Sequence, residues 1–207
     1  MEVDFYRRLP ARATLHVARM YLEETTVEGE SRMLDEFLPR AVDDLRSLRP
    51  DAVVFGCTSA GALRGNDYEN SLMASISKTC GCPVISVISA VRHRLQKMGA
   101  RTAVVITPYV EELNERVRRS VEANGVRVLD IRGLGIDVNF EIAAVEPPRI
   151  VELAVSAVRV CRPDVIFLSC TNFRGLDAGE EVSRLTGLPV MTSNGVALES
   201  ALEALGM

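Results

Sequence analysis

An α/β fold of two pseudo-symmetric, flavodoxin-like halves, each built on a parallel sheet, follows from three features of this sequence. First, short apolar runs of strand length alternate with longer stretches of helical periodicity, the pattern of parallel strands joined by helices. Second, one pattern occurs twice. Arg49-Pro50-Asp51-Ala52-Val53-Val54-Phe55-Gly56-Cys57-Thr58 is matched by Arg162-Pro163-Asp164-Val165-Ile166-Phe167-Leu168-Ser169-Cys170-Thr171. Third, 207 residues of which 47% are hydrophobic can bury a sizeable core in one large or two small α/β domains.

The elements follow in order. Residues 12–20 alternate in polarity and read as a strand. Residues 30–48 carry a helical apolar stripe through Met33, Leu34, Phe37, Ala41 and Leu45, which Pro39 should kink or split. A buried strand is expected over 52–56, a helix in the second half of 60–78, a strand over 83–89 and a helix over 90–98. Residues 102–107 then read as a strand, with Pro108 opening a helix that stops at Asn124-Gly125. A strand over 126–131 and a glycine-rich loop follow. The Pro147-Pro148 pair starts a helix to about residue 160. A strand over 165–169, a helix over 176–186, a strand over 189–192 and a helix over 196–205 complete the chain. The halves are expected at 1–92 and 93–194, with helix 195–207 returning to the first.

Cys57 and Cys170 lie 113 positions apart. That offset lays Leu15 on Val128, strand on strand, and leaves nothing in the first half opposite residues 99–113. The first half is therefore expected to lack its opening strand.

The paired motif carries the chemistry. A cysteine at the carboxyl end of a parallel strand stands where α/β sheets place ligands. After Cys57 come Thr58 and Ser59; after Cys170 come Thr171 and Asn172. Consecutive backbone N–H groups with small hydroxyl or amide side chains are suited to holding a carboxylate. One thiolate could take a proton alpha to a carboxylate or add to an activated double bond, and the other could return a proton from the opposite face. A buried strand-end cysteine is a common structural residue, but two in matched motifs favour function.

Other residues weigh less. Cys80 and Cys82 have no accompanying ligand cluster and Cys161 precedes a turn, so all three are expected to be structural and no metal is expected. His16 and His93 have no motif around them. Tyr109 sits at a strand-to-helix junction, as a site residue or a surface turn tyrosine. The Gly133–Gly135 pair does not open into a helix, which excludes a dinucleotide fingerprint. Arg174 could pair with a substrate carboxylate or simply be exposed at a helix start. The net charge of −4 and the absence of basic runs argue against nucleic acid, and no apolar stretch is long enough to span a bilayer. Five cysteines without regular spacing suggest free thiols in a reducing, cytoplasmic setting.

Gly56-Cys57-Thr58-Ser59, Thr107-Pro108-Tyr109, Gly133-Leu134-Gly135-Ile136 with Asn139, Ser169-Cys170-Thr171-Asn172 and Pro189-Val190-Met191-Thr192-Ser193-Asn194 together resemble the aspartate/glutamate racemase superfamily. The nearest branch holds maleate cis-trans isomerases, arylmalonate decarboxylases and ectoine-utilisation proteins. The resemblance covers nearly the whole chain. It implies no cofactor, a small mono- or dicarboxylic acid as substrate, and possible homo-oligomers. It assigns Cys57, Cys170 and Tyr109 to catalysis and Thr58, Ser59, Asn139, Thr171 and Asn172 to substrate binding. In a maleate-isomerase-like reaction Cys57 would add to the double bond and Cys170 would handle the proton; an aspartate/glutamate-racemase-like reaction would use the same two cysteines. Decarboxylases of the branch lack the first cysteine, so Cys57 argues against simple decarboxylation. Family members usually begin with a strand and a Pro-Ser-Ser-Asn-like loop, absent here. A truncated or reduced form is thus expected, with a non-catalytic acid-binding protein as the competing reading.

Overall fold

The computed structural model describes residues 1–207. Six strands, all paired in parallel, form two sheets. The strands are β1 (Val53–Phe55), β2 (Val84–Ser86), β3 (Thr102–Thr107), β4 (Arg127–Gly133), β5 (Val165–Leu168) and β6 (Val190–Thr192). The first sheet has the order β1-β2, the second β4-β3-β5-β6. The second order is the doubly wound one, with its switch point beside β3. Every residue of β5 is buried, as are five of the six in β3, which is why both read as unbroken apolar runs.

The helices are α1 (Glu2–Arg8), α2 (Val27–Arg32), α3 (Leu38–Arg46), α4 (Thr58–Leu63), α5 (Asn66–Cys80), α6 (Val87–Lys97), α7 (Glu111–Glu122), α8 (Asn139–Ala144), α9 (Pro147–Val158), α10 (Gly175–Thr186) and α11 (Ser193–Ala204). One core of 37 buried residues runs through both sheets. Helix α6 crosses residues 92 and 93 and is shared by the two halves. Helix α11 packs on α6, and Ala197 and Leu198 join Val87 and Phe5 in a second, smaller cluster.

Several expected boundaries move. The helical stretch over 30–48 is split next to Pro39, as expected, but into three segments: α2, a π-helical turn over Met33–Phe37, and α3. Pro39 has no N–H to give the carbonyl four residues back, and the Leu38 N–H instead reaches five residues back to Met33. Helix α4 begins immediately after Cys57, earlier than expected. Gly65, at φ 86°, breaks it from α5, a backbone angle that favours glycine. Helix α6 likewise starts at Val87, taking residues expected to continue a strand. Pro108 opens no helix: α7 starts at Glu111. The Thr107 hydroxyl accepts from the Tyr109 N–H at 3.1 Å, and the Asn114 amide donates to the Tyr109 carbonyl at 3.4 Å. These side-chain bonds replace the helix start with a turn. Gly133 lies under it, where a Cβ would run into the Tyr109 carbonyl and the Asn114 amide.

The expected strand over 12–20 does not form. The segment is extended and half-exposed, and among the amides of residues 14–22 none donates a backbone hydrogen bond. The reason is topological. In the second sheet β3 lies between β4 and β5 and pairs with both. In the first, β1 pairs only with β2, and its other edge lines a cleft whose far wall is residues 12–20. An alternating sequence with no neighbour to pair with stays an unpaired extended chain. Hydrogen exchange of these amides is expected at nearly unprotected rates, while residues 103–107 exchange only on global opening; equal protection of the two segments would disprove the open cleft.

Candidate functional site

The cleft, of about 720 Å³, is of the size that holds a small ligand. Cys57, Ser59, Glu30, Tyr109, Asn139, Cys170, Thr171 and Asn172 are among the residues that line it. All the sequence-predicted site residues except Thr58 therefore line one cavity, with a cysteine from each half.

The two cysteines are held differently. Cys57 is extended, at φ −142°, and stands at the N-cap of α4, where its side chain makes no capping hydrogen bond. Cys170 has φ 107°, a conformation that costs a non-glycine residue about 1–3 kcal/mol. The strain is offset locally. The Cys170 N–H donates to the Ser193 hydroxyl at 3.0 Å, and its sulfur accepts from the Asn172 N–H at 3.4 Å. Burial pushes both thiols up, and the neighbouring Glu30 pushes them further. Backbone donors at Ala60 and at Asn172 and Phe173 act in the opposite direction.

Polar residues near the cysteines divide into those that bind the halves together and those that face the cavity. Thr58 is buried and donates to Ser193 at 2.9 Å; its side chain does not reach the cavity, which corrects its expected role in substrate binding. Thr171 donates to the Gly56 carbonyl at 3.0 Å, joining the two strand ends. The Asn172 amide donates to both oxygens of Asn139, at 2.9 and 3.1 Å, and the Asn139 amide donates to the Leu22 carbonyl at 3.1 Å. The Met1 amine donates to the Thr171 carbonyl at 2.8 Å. Arg174 is paired with Glu146 and Asp177 away from the cavity, so it is the exposed helix-start arginine.

Tyr109 is fully buried rather than at the surface. Its hydroxyl lies against both Cys170 and Ser59, and burial pushes its ionisation well up. It is a neutral hydrogen-bond donor. No group of three or more His, Cys, Asp or Glu residues is placed to hold a metal ion, and no helix is long and apolar enough to cross a membrane.

One cavity residue was not anticipated. Glu30 is fully buried, and the Ser59 hydroxyl donates to its Oε1, while Oε2 has no partner. Desolvation pushes its carboxyl from 4.5 up to about 8, against the smaller downward pull of the Ser59 bond. The sequence did hold a signal: Glu30, Leu34, Leu38, Ala41 and Leu45 follow one apolar stripe at helical spacing, and a charged residue heads it.

The chain is similar to known proteins over most of its length. The arylmalonate decarboxylase family model matches residues 10–207. Maleate isomerase of Geobacillus stearothermophilus is 29% identical over 200 residues, 94% of this chain and 79% of that protein. Arylmalonate decarboxylase of Bordetella bronchiseptica is 29% identical over 189 residues, 89% of this chain and 77% of that protein. Among solved structures, the maleate isomerase of Pseudomonas putida S16 superimposes with a TM-score of 0.88 at 25% identity, covering 98% of this chain and 84% of its own. A liganded double mutant of arylmalonate decarboxylase gives 0.83 at 28% identity, covering 90% and 80%.

Proposed function

Because the chain belongs to the arylmalonate decarboxylase family, we propose that it is a cofactor-independent isomerase of a small unsaturated dicarboxylic acid of the maleate type. The observation that carries this reading is a thiol from each half in one cavity, Cys57 and Cys170. Decarboxylation alone needs one proton donor. A cis-trans isomerisation needs a nucleophile that adds and leaves and a second group that manages a proton.

The reaction follows from the placement of the groups. The Cys57 sulfur adds to one alkene carbon, and the π electrons move onto the neighbouring carboxylate as an enediolate. Cys170, with the Tyr109 hydroxyl against it, supplies hydrogen bonding or a proton to that side. The former double bond is now single and rotates. The Cα proton, if transferred, returns to Cys170, the electrons re-form the alkene, and the carbon–sulfur bond breaks. The second amide hydrogen of Asn139 and the Thr171 backbone N–H offer contacts to the carboxylates, while the Thr171 hydroxyl and the Asn172 amide hold that wall together through Gly56 and Asn139. No net proton or electron is consumed. A racemase reading keeps the same two thiols as acid and base on opposite faces of Cα.

The test is incubation of the protein with maleate, read by proton NMR. Fumarate formation without added cofactor and without loss of carbon dioxide is expected. Carbon dioxide release from an arylmalonate, with maleate untouched, would favour the decarboxylase reading. Binding of maleate with no turnover would favour an acid-binding protein.

A further inference from the structure

We propose that Glu30 is the terminal acceptor of the Cys57 thiol proton, reached through the Ser59 hydroxyl, so that Cys57, Ser59 and Glu30 form a proton relay serving the nucleophile. Three observations carry this. The Cys57 sulfur and the Ser59 oxygen are 3.9 Å apart, within hydrogen-bonding distance for sulfur. The Ser59 hydroxyl is bonded in turn to Glu30 Oε1. Glu30 is fully buried on the same cavity, with Oε2 unpartnered, where a carboxyl without a task is costly.

The relay answers a problem that burial creates. Both cysteines are desolvated, and no histidine is hydrogen-bonded to either or among the groups acting on them. His16, on the exposed segment 12–20, lines the same cavity but is not among the groups acting on either thiol. In the relay the Cys57 S–H bond breaks as its proton passes to Ser59 Oγ. The original Ser59 proton passes to Glu30 Oε1, forming a new O–H bond. One negative charge moves from carboxylate to thiolate and none is created. A carboxylate beside a thiolate is repulsive, but the transfer neutralises Glu30 as the thiolate appears. The titratable groups acting on this cluster are Cys57, Cys170 and Tyr109, with the Met1 ammonium interacting with Cys170; the influences on Glu30 itself are burial and Ser59, and no cation is among them. Glu30 works through Ser59, so it is a positioning residue for the proton and does not touch substrate.

The inference rests on Cys57 being the nucleophile proposed above, but its test needs no turnover. The rate of Cys57 alkylation by iodoacetamide is measured against pH by mass spectrometry, in the intact protein and in Glu30→Gln and Ser59→Ala. The intact protein should react with an inflection near pH 8, where the carboxyl becomes able to accept a proton, and then level off. Both variants should lose the plateau, their rates continuing to rise with pH because hydroxide alone then removes the thiol proton. An intact protein whose rate rises through pH 8 with no inflection, or a Glu30→Gln profile that superimposes on it, overturns the relay. Ser59→Ala keeps Glu30 in place, so a relay role remains testable if Glu30→Gln folds poorly. A protein that showed the alkylation profile yet left maleate unchanged would retain the relay and lose the isomerase reading.

Discussion

Cys57→Ala and Cys170→Ala are each expected to lower kcat by about a thousandfold or more, and the double variant to be scarcely worse than either single one, because groups acting as one unit are not additive. The physical reason is that neither thiol can stand in for the other. Cys57 is extended and stands at the N-cap of α4, with the Ser59 and Glu30 groups behind it. Cys170 is held at φ 107°, with its sulfur against the Asn172 N–H and the Tyr109 hydroxyl. Alanine keeps the backbone of either position and removes only the sulfur, so the fold should persist. Cys80→Ala and Cys161→Ala should leave turnover intact, since neither side chain lines the cavity. The measurement is steady-state kinetics with maleate. Near-normal activity in Cys170→Ala would reduce the chemistry to one thiol and remove the case for paired cysteines.

How far the site could be read from sequence follows from what each residue owes to its neighbours in the chain. Cys57 and Cys170 were legible because the strand-turn context repeats, and a repeated local context places both residues at the same point of the same supersecondary unit. Tyr109 was half legible: Thr107-Pro108 marks a turn, but the turn's inward swing depends on Asn114 and Gly133, which sequence alone does not place beside it. Thr58 is not legible from sequence, because its partner, Ser193, is 135 positions away, and only the meeting of the halves commits its hydroxyl there. Residues 12–20 have the polarity pattern of a strand, yet pairing is a property of the neighbour, and β1 offers its free edge across a cleft. The helices were legible in kind, and α9 also in its start at Pro147, but not the starts of α4, α6 and α11, because α6 and α11 follow their strands directly and α4 lies only Gly56 and Cys57 beyond β1.

The largest expected loss of stability lies away from the cleft, at Arg92. Its guanidinium is buried on α6 and bonds Glu69 of α5 at 2.5 Å, Asn66 of α5 at 3.0 Å and Ser120 of α7 at 2.8 Å. Ser120 donates in turn to Asn66 at 2.6 Å. This network ties the helices of the first half to α7 of the second, and α7 also packs on α4, the helix that begins directly after Cys57. Glu69→Ala leaves the arginine charge buried without its counter-ion and should cost about 3–5 kcal/mol. The intact pair does not contribute that much, because its attraction is largely spent on desolvating both ions. A double replacement, Arg92→Met with Glu69→Leu, should therefore recover most of the loss. Exposed pairs such as Arg149 with Glu152 give a control, where removal should cost less than about 1 kcal/mol. Urea unfolding of the four proteins measures these differences. A Glu69→Ala variant as stable as the parent would mean that water reaches Arg92 and that the halves are not clamped there. With the clamp confirmed, loss of turnover in Glu69→Ala at temperatures where it remains folded would show that the Cys57 side of the cavity depends on α7 for its position.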